Sequence, residues 1–370
     1  MNTTSKKTDV TGGRLLSLDF FRGATMFLLV GEFTFFFSFL VDATPEGSLL
    51  HSFFLQFHHQ PWEGLHFWDL VQPFFMFIVG VAIPFSVAKR VKQGQSEKEL
   101  IKHALVRSLT LLLLGWALYC IGPGKITFRF QNVLAQLSVT YLIAFLIRNK
   151  PFRYQLIFSL GLLLVTELIY RFFPVEGFNH PFVPNENFGT WLDLQYGGAN
   201  LEGHWVSFNA IPTTAHTIWG VLAGNLLISN IPQKEKFRKL AIAGIIGILL
   251  GYALSPVTPI IKRIATSSFV LVSGGYALLV LALSYWLIDI KKSRKWVIFF
   301  AVVGMNPLFI YLFAHLGGRD FLMHMYKPFT HLLFSPLGGQ AEDILTAAVI
   351  WATFWYITWW MYKRKIFIKI

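Results

Sequence analysis

Apolar runs of about 20 residues recur along the whole of this 370-residue chain, and a helix of that length crosses the ~30 Å hydrocarbon core of a bilayer. Backbone inside lipid must satisfy its own hydrogen bonds, so such runs form helices. We expect helices near residues 18–41, 67–88, 104–122, 132–147, 154–173, 208–229, 240–257, 267–288, 296–316 and 343–362. The sequence therefore predicts an all-α fold, a polytopic transmembrane bundle of about ten helices that forms a single domain over residues 1–370.

The net charge of the chain is +13, which in a soluble protein would indicate a nucleic-acid partner. Only 14% of the residues are charged, whereas a soluble domain has about 25%, and most Lys and Arg residues cluster in alternate connections between the apolar runs. This is the positive-inside pattern, so we expect a lipid bilayer around the chain and no nucleic acid. The same bias predicts that both termini are cytoplasmic, and the lack of an organellar address favours the inner membrane of a bacterium.

The first apolar run contains charged side chains, which are costly in lipid and usually face a bundle interior or a wet cavity. Asp19 and Arg22 lie three residues apart, so they share one face of a helix and can pair. Two interpretations follow. The pair is either a buried ion pair that fixes helix packing or part of a polar wall that contacts a ligand.

A second polar cluster joins the first run to the second and contains His58, His59, His66 and Asp69. Asp69 lies near the start of the second helix, where the helix dipole favours its negative charge. It either caps that helix or orients an imidazole from the preceding loop, as a catalytic histidine requires. Most histidines of the chain lie on the predicted external side, which suits proton transfer but also simple packing at the membrane interface.

A metal site formed by His51, His58, His59 and His66 is a competing interpretation of this cluster. No second ligand set with zinc-like spacing follows these histidines. The single cysteine, Cys120, lies inside an apolar run and offers no thiolate framework. We therefore expect no bound metal.

The motifs Asp19-Phe20-Phe21-Arg22-Gly23 and His59-x2-Trp62-x-Gly64-x4-Asp69-Leu70-Val71-x-Pro73-x-Phe75 resemble the heparan-α-glucosaminide N-acetyltransferase family of membrane acyltransferases. Further similarity follows in order at Val133-Leu134, Gly220-Val221-Leu222-Ala223-Gly224, Pro259 with Lys262, Gly304-Met305-Asn306 with Tyr311, and the tail from Tyr362. The sequence departs from the family at Ala135-Gln136, at Gly203-His204-Trp205-Val206, and at Ile261 and Ala265 beside Lys262. These departures concentrate near the expected acceptor side.

The resemblance implies an enzyme that takes acetyl from cytoplasmic acetyl-CoA, as co-substrate, and delivers it to the amino group of a periplasmic amino sugar, a glucosaminide. His59 is the histidine whose spacing matches, and the family implies that it acts as acetyl carrier or as general base. Asp69 and Asn306 are the residues expected to orient it. The residues expected to bind substrate or cofactor are Asp19, Arg22, Trp62, Lys262 and Tyr311.

Two other functions fit the same sequence. A non-enzymatic membrane transporter of an amino sugar or its oligosaccharide would also need a polar path through apolar helices, but it would have no use for acetyl-CoA. A structural or assembly role would need neither. A homodimer is compatible with each of these functions, and acetyl-CoA binding separates the enzyme from the transporter.

Overall fold

The computed structural model describes residues 15–368, and within that range the regular structure is helical, with only isolated β-bridges between loops. The longer helices alternate with short ones that lie in the connections. The helices are α1 Leu16–Phe33, α2 Phe36–Asp42, α3 Leu49–Leu55, α4 Val71–Lys92, α5 Glu97–Ile121, α6 Val133–Ile147, α7 Phe152–Arg171, α8 Phe188–Gln195, α9 Ala210–Ile228, α10 Gln233–Leu254, α11 Ser267–Ser284, α12 Val297–Ala301, α13 Pro307–Phe313, α14 Arg319–Phe334 and α15 Gly339–Lys363.

The expected all-helical membrane bundle is confirmed. Six helices in the described range are long and apolar enough to cross a bilayer, and α1 with α2 makes a seventh span if the bent pair is counted as one. The chain is therefore a multi-pass membrane protein. The predicted total of about ten crossings and the cytoplasmic position of both termini stay predictions, since helices near 132–147, 208–229 and 296–316 do not meet the same length and apolarity criteria.

The first predicted helix is bent rather than continuous. α1 ends at Phe33, and α2 continues from Phe36 at an angle of 59°. The break falls at Phe35, whose φ of 60° is left-handed and therefore incompatible with a continuing α-helix. Thr34 closes the end of α1, because its hydroxyl donates to the carbonyl of Gly31 at 2.7 Å. The bend places Glu32, in the last turn of α1, next to the connection that leads into α4.

Close packing of α4 against α9 forms the centre of the bundle. Gly80 on α4 and Gly220 on α9 face each other so closely that a Cβ at either position would overlap a backbone carbonyl of the other helix. Small residues of this kind let two helix backbones approach inside a membrane. Residues of α4 are buried along most of its length, so one face of α4 is fixed by α9 while another is left to line an internal space.

The predicted helix near 296–316 is interrupted in the structure. α12, a short 3₁₀ turn at Val303–Met305 and α13 replace one continuous span, because Asn306 has non-helical backbone angles and Pro307 begins the next helix. Asn306 is buried, and its amide donates to the carbonyl of Ile366 at 3.0 Å and accepts from the amide of Ile368 at 2.8 Å. The interruption therefore anchors the segment that follows α15.

Candidate active site

A histidine and an aspartate form the centre of the site. His59 lies in the loop before α4, and its Nδ1 is 3.1 Å from Oδ1 of Asp69. Asp69 is in the 3₁₀ turn at Phe67–Leu70, and its other oxygen accepts the backbone N–H groups of His66 at 2.9 Å and Gln60 at 3.2 Å. Backbone groups at two points of the loop thus hold the Asp69 carboxylate in place, and the carboxylate in turn orients the imidazole of His59.

A second loop brings a lysine to the same point. The backbone of Gly64 donates to the carbonyl of Ile260 at 2.8 Å, and Glu63 forms a β-bridge with Ile261. Gly64 has a φ of 118°, a conformation that favours glycine. This pairing carries Lys262 to the site, where its Nζ is 3.0 Å from Nδ1 of His59 and 3.5 Å from Oδ1 of Asp69.

The ionisation of these groups follows from their surroundings. Lys262 is buried, and burial lowers its pKa to about 8, although the carboxylates of Asp69 and Glu32 oppose that shift. Burial, and after it the positive charge of Lys262, lower the pKa of His59 to about 4, against the raising effect of Asp69. The imidazole is therefore neutral at pH 7, with one ring nitrogen free to accept a proton or an acyl group.

The free edge of the imidazole faces a second carboxylate and an indole ring. Nε2 of His59 lies 3.9 Å from Oε1 of Glu32. The ring of Trp205 lies edge-on to His59 with centroids 5.8 Å apart, and the ammonium of Lys262 lies 5.3 Å from the centre of the same indole. A cation at that distance from an aromatic face is attracted to it, so Trp205 holds Lys262 over the site.

The site opens into a long cavity of about 570 Å³. One stripe of α4 lines it from end to end: Val71, Gln72, Phe75, Ile78, Val79, Ala82, Ser86 and Arg90. At 1.5 Å per residue, Val71 and Arg90 are about 28 Å apart along the helix, close to the ~30 Å thickness of a hydrocarbon core. We call the two ends of this cavity the His59 end, with Glu32, Trp205 and Lys262, and the Arg90 end.

The Arg90 end is basic. Arg90 and Arg107 both line the cavity there, and the guanidinium of Arg107 lies 4.6 Å from the centre of the Tyr141 ring. The buried Nε of Arg107 has no hydrogen-bond partner within the described part of the chain. Guanidinium groups bind phosphate in a planar two-point geometry, so this end has the chemistry to hold a phosphorylated ligand.

Most of the site residues predicted from the sequence line the cavity or contact a residue that does, although they are spread along its length. His59, Lys262 and Tyr311 line the cavity, and Asp69 touches the first two. Arg22 also lines this cavity. It precedes Glu32 by ten residues on α1, which corresponds to about 15 Å along the helix axis.

Of the remaining predicted site residues, Asn306, Trp62 and Asp19 are not among those that line the cavity. Asn306 holds the backbone of Ile366 and Ile368 and does not meet the imidazole, so among the described residues Asp69 is the one predicted orienting group in contact with it. The indole N–H of Trp62 donates to the carbonyl of Phe182 at 2.7 Å, which ties its loop to a neighbouring loop. Asp19 is buried and is not among the cavity-lining residues.

Among the other lining residues, Glu32, Arg90, Arg107 and Trp205 have no role predicted from the sequence. A carboxylate inside an apolar run, such as Glu32, by itself indicates a functional position. Arg90 and Arg107 belong to the Lys and Arg clusters of the charge bias, and Trp205 belongs to a departure from the family pattern.

The histidines of the first loop make separate contacts rather than a common site. Nδ1 of His51 is 3.2 Å from the carbonyl of Thr44, and Nδ1 of His66 is 3.0 Å from the carbonyl of His58. Within residues 15–368 no three His, Cys, Asp or Glu side chains are arranged to hold a metal ion.

Comparison with known proteins gives two relatives that share a name. The chain is 26% identical to mouse heparan-alpha-glucosaminide N-acetyltransferase over 85% of its length, and 26% identical to the human protein of that name over 96%. The chain is a distant relative of the heparan-alpha-glucosaminide N-acetyltransferases. It spans 56% of the mouse protein and 60% of the human one. No protein-family model matches the sequence.

Proposed function

We propose that the protein is a membrane acetyltransferase that moves acetyl from acetyl-CoA, bound from the Arg90 end of the cavity, to the amino group of an amino sugar at the His59 end. The observation that carries the proposal is the single cavity that joins two guanidinium groups at one end to an Asp69–His59 pair at the other. The names of the two distant relatives support the reaction type and suggest a glucosaminide as acceptor.

The phosphates of CoA are the natural partners of Arg90 and Arg107, because guanidinium groups bind phosphate oxygens in pairs. A CoA molecule held there directs its long pantetheine arm along the apolar wall formed by α4, where Phe75, Ile78 and Val79 line the cavity. The arm points its thioester along the cavity towards the His59 end.

The chemistry at the His59 end uses a neutral imidazole. When Nδ1–H donates to Asp69, the lone pair of Nε2 faces the cavity. In a direct route, Nε2 accepts a proton as the amine attacks the thioester. In a carrier route, Nε2 first receives the acetyl group and then passes it on. Rapid quenching with labelled acetyl-CoA and no acceptor separates the two routes, because only the carrier route leaves label on His59.

The charges at the Arg90 end favour an enzyme over the alternative of an amino-sugar transporter. An amino sugar is largely a cation at neutral pH, and a path that ends between Arg90 and Arg107 would repel it. The same end attracts the phosphates of CoA. Binding of acetyl-CoA by the purified protein, which a transporter would not show, distinguishes the two functions.

The decisive experiment incubates purified protein in lipid nanodiscs with labelled acetyl-CoA and a panel of amino sugars. We expect His59→Ala to lower transfer by about 10²–10⁴-fold, the range for loss of a positioned acid–base group, while acetyl-CoA still binds. His58→Ala is the matched control, because its side chain does not line the cavity, and it should keep most of the activity. Near wild-type turnover by folded His59→Ala would contradict the mechanism, and absence of transfer by the wild type to every amino sugar would contradict the function.

A further inference from the structure

The Asp69–His59 pair leaves one acidic side chain of the site without a role. Glu32 lines the cavity in the last turn of α1, with 35% of its side chain exposed. Its Oε1 is 3.9 Å from Nε2 of His59, which is too far for a hydrogen bond between the two. The gap lies on the cavity side of the imidazole, opposite the ring nitrogen that contacts Asp69.

Nε2 of His59 and Oε1 of Glu32 are close enough for one nitrogen atom beside them to reach both. A nitrogen at about 2.9 Å from Oε1 and about 2.9 Å from Nε2 makes normal hydrogen bonds to both atoms. An amine in this position donates one hydrogen bond to Glu32 and another to Nε2 of His59, the base or acyl carrier of the proposed reaction. A hydroxyl, with a single proton, could donate to only one of the two acceptors.

The distribution of charge also favours a cationic ligand here. Asp69 already receives two backbone N–H groups and lies 3.5 Å from the ammonium of Lys262. Across residues 15–368 Glu32 forms no ion pair with a Lys or Arg, and the ammonium of Lys262 acts on it only from a longer distance. Lys262 and the two backbone N–H groups thus already occupy Asp69, and Glu32 is the carboxylate left to receive a bound ammonium.

We propose that Glu32 binds the ammonium form of the acceptor and accepts its first proton, which makes the site selective for amines over hydroxyls. This inference rests on the proposed function, because it assigns the acceptor position of that same reaction. Glu32 is then a catalytic residue, in contact with the nitrogen that attacks.

The proton balance of the direct route assigns each step. The acceptor R–NH₃⁺ gives one proton to the Glu32 carboxylate, and the resulting R–NH₂ attacks the acetyl carbon of the thioester. The C–N bond forms and the C–S bond breaks, Nε2 of His59 takes a second proton from the nitrogen, and the leaving thiolate receives that proton to give CoA–SH. The proton on Glu32 is released to water in the cavity, which restores the carboxylate.

The test compares a cationic acceptor with one that is already neutral. Glucosamine supplies an ammonium, and O-methylhydroxylamine supplies an amine that is uncharged at neutral pH. We expect Glu32→Gln to lower kcat/KM for glucosamine by about 10²-fold or more and to change kcat/KM for O-methylhydroxylamine less than about threefold. Glu63→Gln, an exposed carboxylate outside the cavity, is the matched control and should leave both values unchanged.

Two further measurements keep the test decisive. Wild-type protein should bind methyl glucosaminide more tightly than its neutral N-acetyl derivative, and Glu32→Gln should lose this preference without weaker acetyl-CoA binding; this comparison needs no turnover. If Glu32→Gln does not fold, Glu32→Asp, which keeps the charge on a shorter arm, should retain the preference with a raised KM. Equal losses for both acceptors, or an unchanged binding preference, overturn the inference. If the wild type acetylates neither acceptor, the proposed function fails instead.

Discussion

The charge of Lys262 adds to the effect of burial on the ionisation of His59. Its Nζ lies 3.0 Å from the imidazole, and its charge is the second cause, after burial, of the low pKa of His59. Two unit charges about 4 Å apart interact by about 4 kcal/mol at the effective dielectric constant of a protein surface, so a protonated imidazole beside this ammonium is strongly disfavoured. The lysine therefore keeps His59 in the form that accepts a proton or an acetyl group.

Removing that charge should move the acid limb of the pH profile. In Lys262→Met the pKa of His59 rises, because the positive neighbour is gone while the Asp69 carboxylate stays. Protonated imidazole is inactive, so activity should be lost at a higher pH as the solution is acidified. The measurement is kcat/KM from pH 4 to 8 with one acceptor, which cancels the titration of the acceptor itself.

The control for this experiment is Lys262→Arg, which keeps the positive charge. Its acid limb should stay close to that of the wild type even if its rate falls. An acid limb at the same pH in wild type and in Lys262→Met would show that Lys262 does not control the ionisation of His59.

The residues of the site differ in how far the sequence could predict them. His59 and Asp69 are ten residues apart, so a local motif and a family resemblance were enough to pair them. Lys262 lies about 200 residues further along the chain, and only its resemblance to the family placed it near the site. Glu32 lies near His59 because α1 ends at a bend. The bend occurs at Phe35, which has a left-handed backbone conformation. Glycine is the residue that usually adopts this conformation, so a phenylalanine here gives no sequence signal for the bend.

At the scale of the helices, hydropathy predicts the continuous membrane spans but not the points where a predicted helix is bent or broken. Runs near 67–88, 104–122 and 154–173 match α4, α5 and α7 to within several residues. α14 lies between the helices predicted near 296–316 and 343–362. Arg319, Asp320 and Lys327 lower its hydropathy, yet its remaining apolar side chains suffice for an amphipathic helix. Hydropathy averaged over a long window detects neither an amphipathic helix of this kind nor a break at a single residue.

The close contact between α4 and α9 should depend on glycine at the positions where the two helices meet. At Gly80 an added Cβ would overlap the carbonyl oxygen of Thr217 and approach Gly220, and the backbone cannot yield without separating the two helices. We expect Gly80→Ala to lower the free energy of unfolding by about 1–3 kcal/mol, the usual cost of overpacking. Thermal unfolding of the purified protein in detergent measures the effect.

Gly161 on α7 gives the matched control, because an added Cβ there meets nothing within 4 Å. Gly161→Ala should be neutral or stabilising by up to about 1 kcal/mol, from the higher helix propensity of Ala. Equal unfolding temperatures for Gly80→Ala and wild type would mean that the α4–α9 contact can relax, and the cavity stripe on α4 would then not be rigidly placed.

At the scale of the whole molecule, the proposed reaction has to bring together two substrates from opposite faces of the membrane. A donor with several phosphates cannot enter a hydrocarbon core, and a sugar on the other face cannot cross it. The stripe on α4 runs about 28 Å, so one continuous cavity joins Arg90 and Arg107 to the His59 end.

Blocking that path between its ends should separate donor binding from the chemistry. Ser86 lines the cavity one turn from Arg90 and is exposed, so Ser86→Trp places an indole in the path without displacing packed core atoms. We expect the KM for acetyl-CoA to rise about tenfold or more, equivalent to about 1.4 kcal/mol of lost binding, while S-acetyl-N-acetylcysteamine, a donor without the nucleotide, is used about as well as by wild type. Ala88→Trp adds the same ring at an exposed position of α4 that does not line the cavity, and it should leave both donors unaffected. If Ser86→Trp and Ala88→Trp give the same KM for acetyl-CoA, the donor does not pass along the α4 stripe, and its route to His59 must lie elsewhere in the bundle.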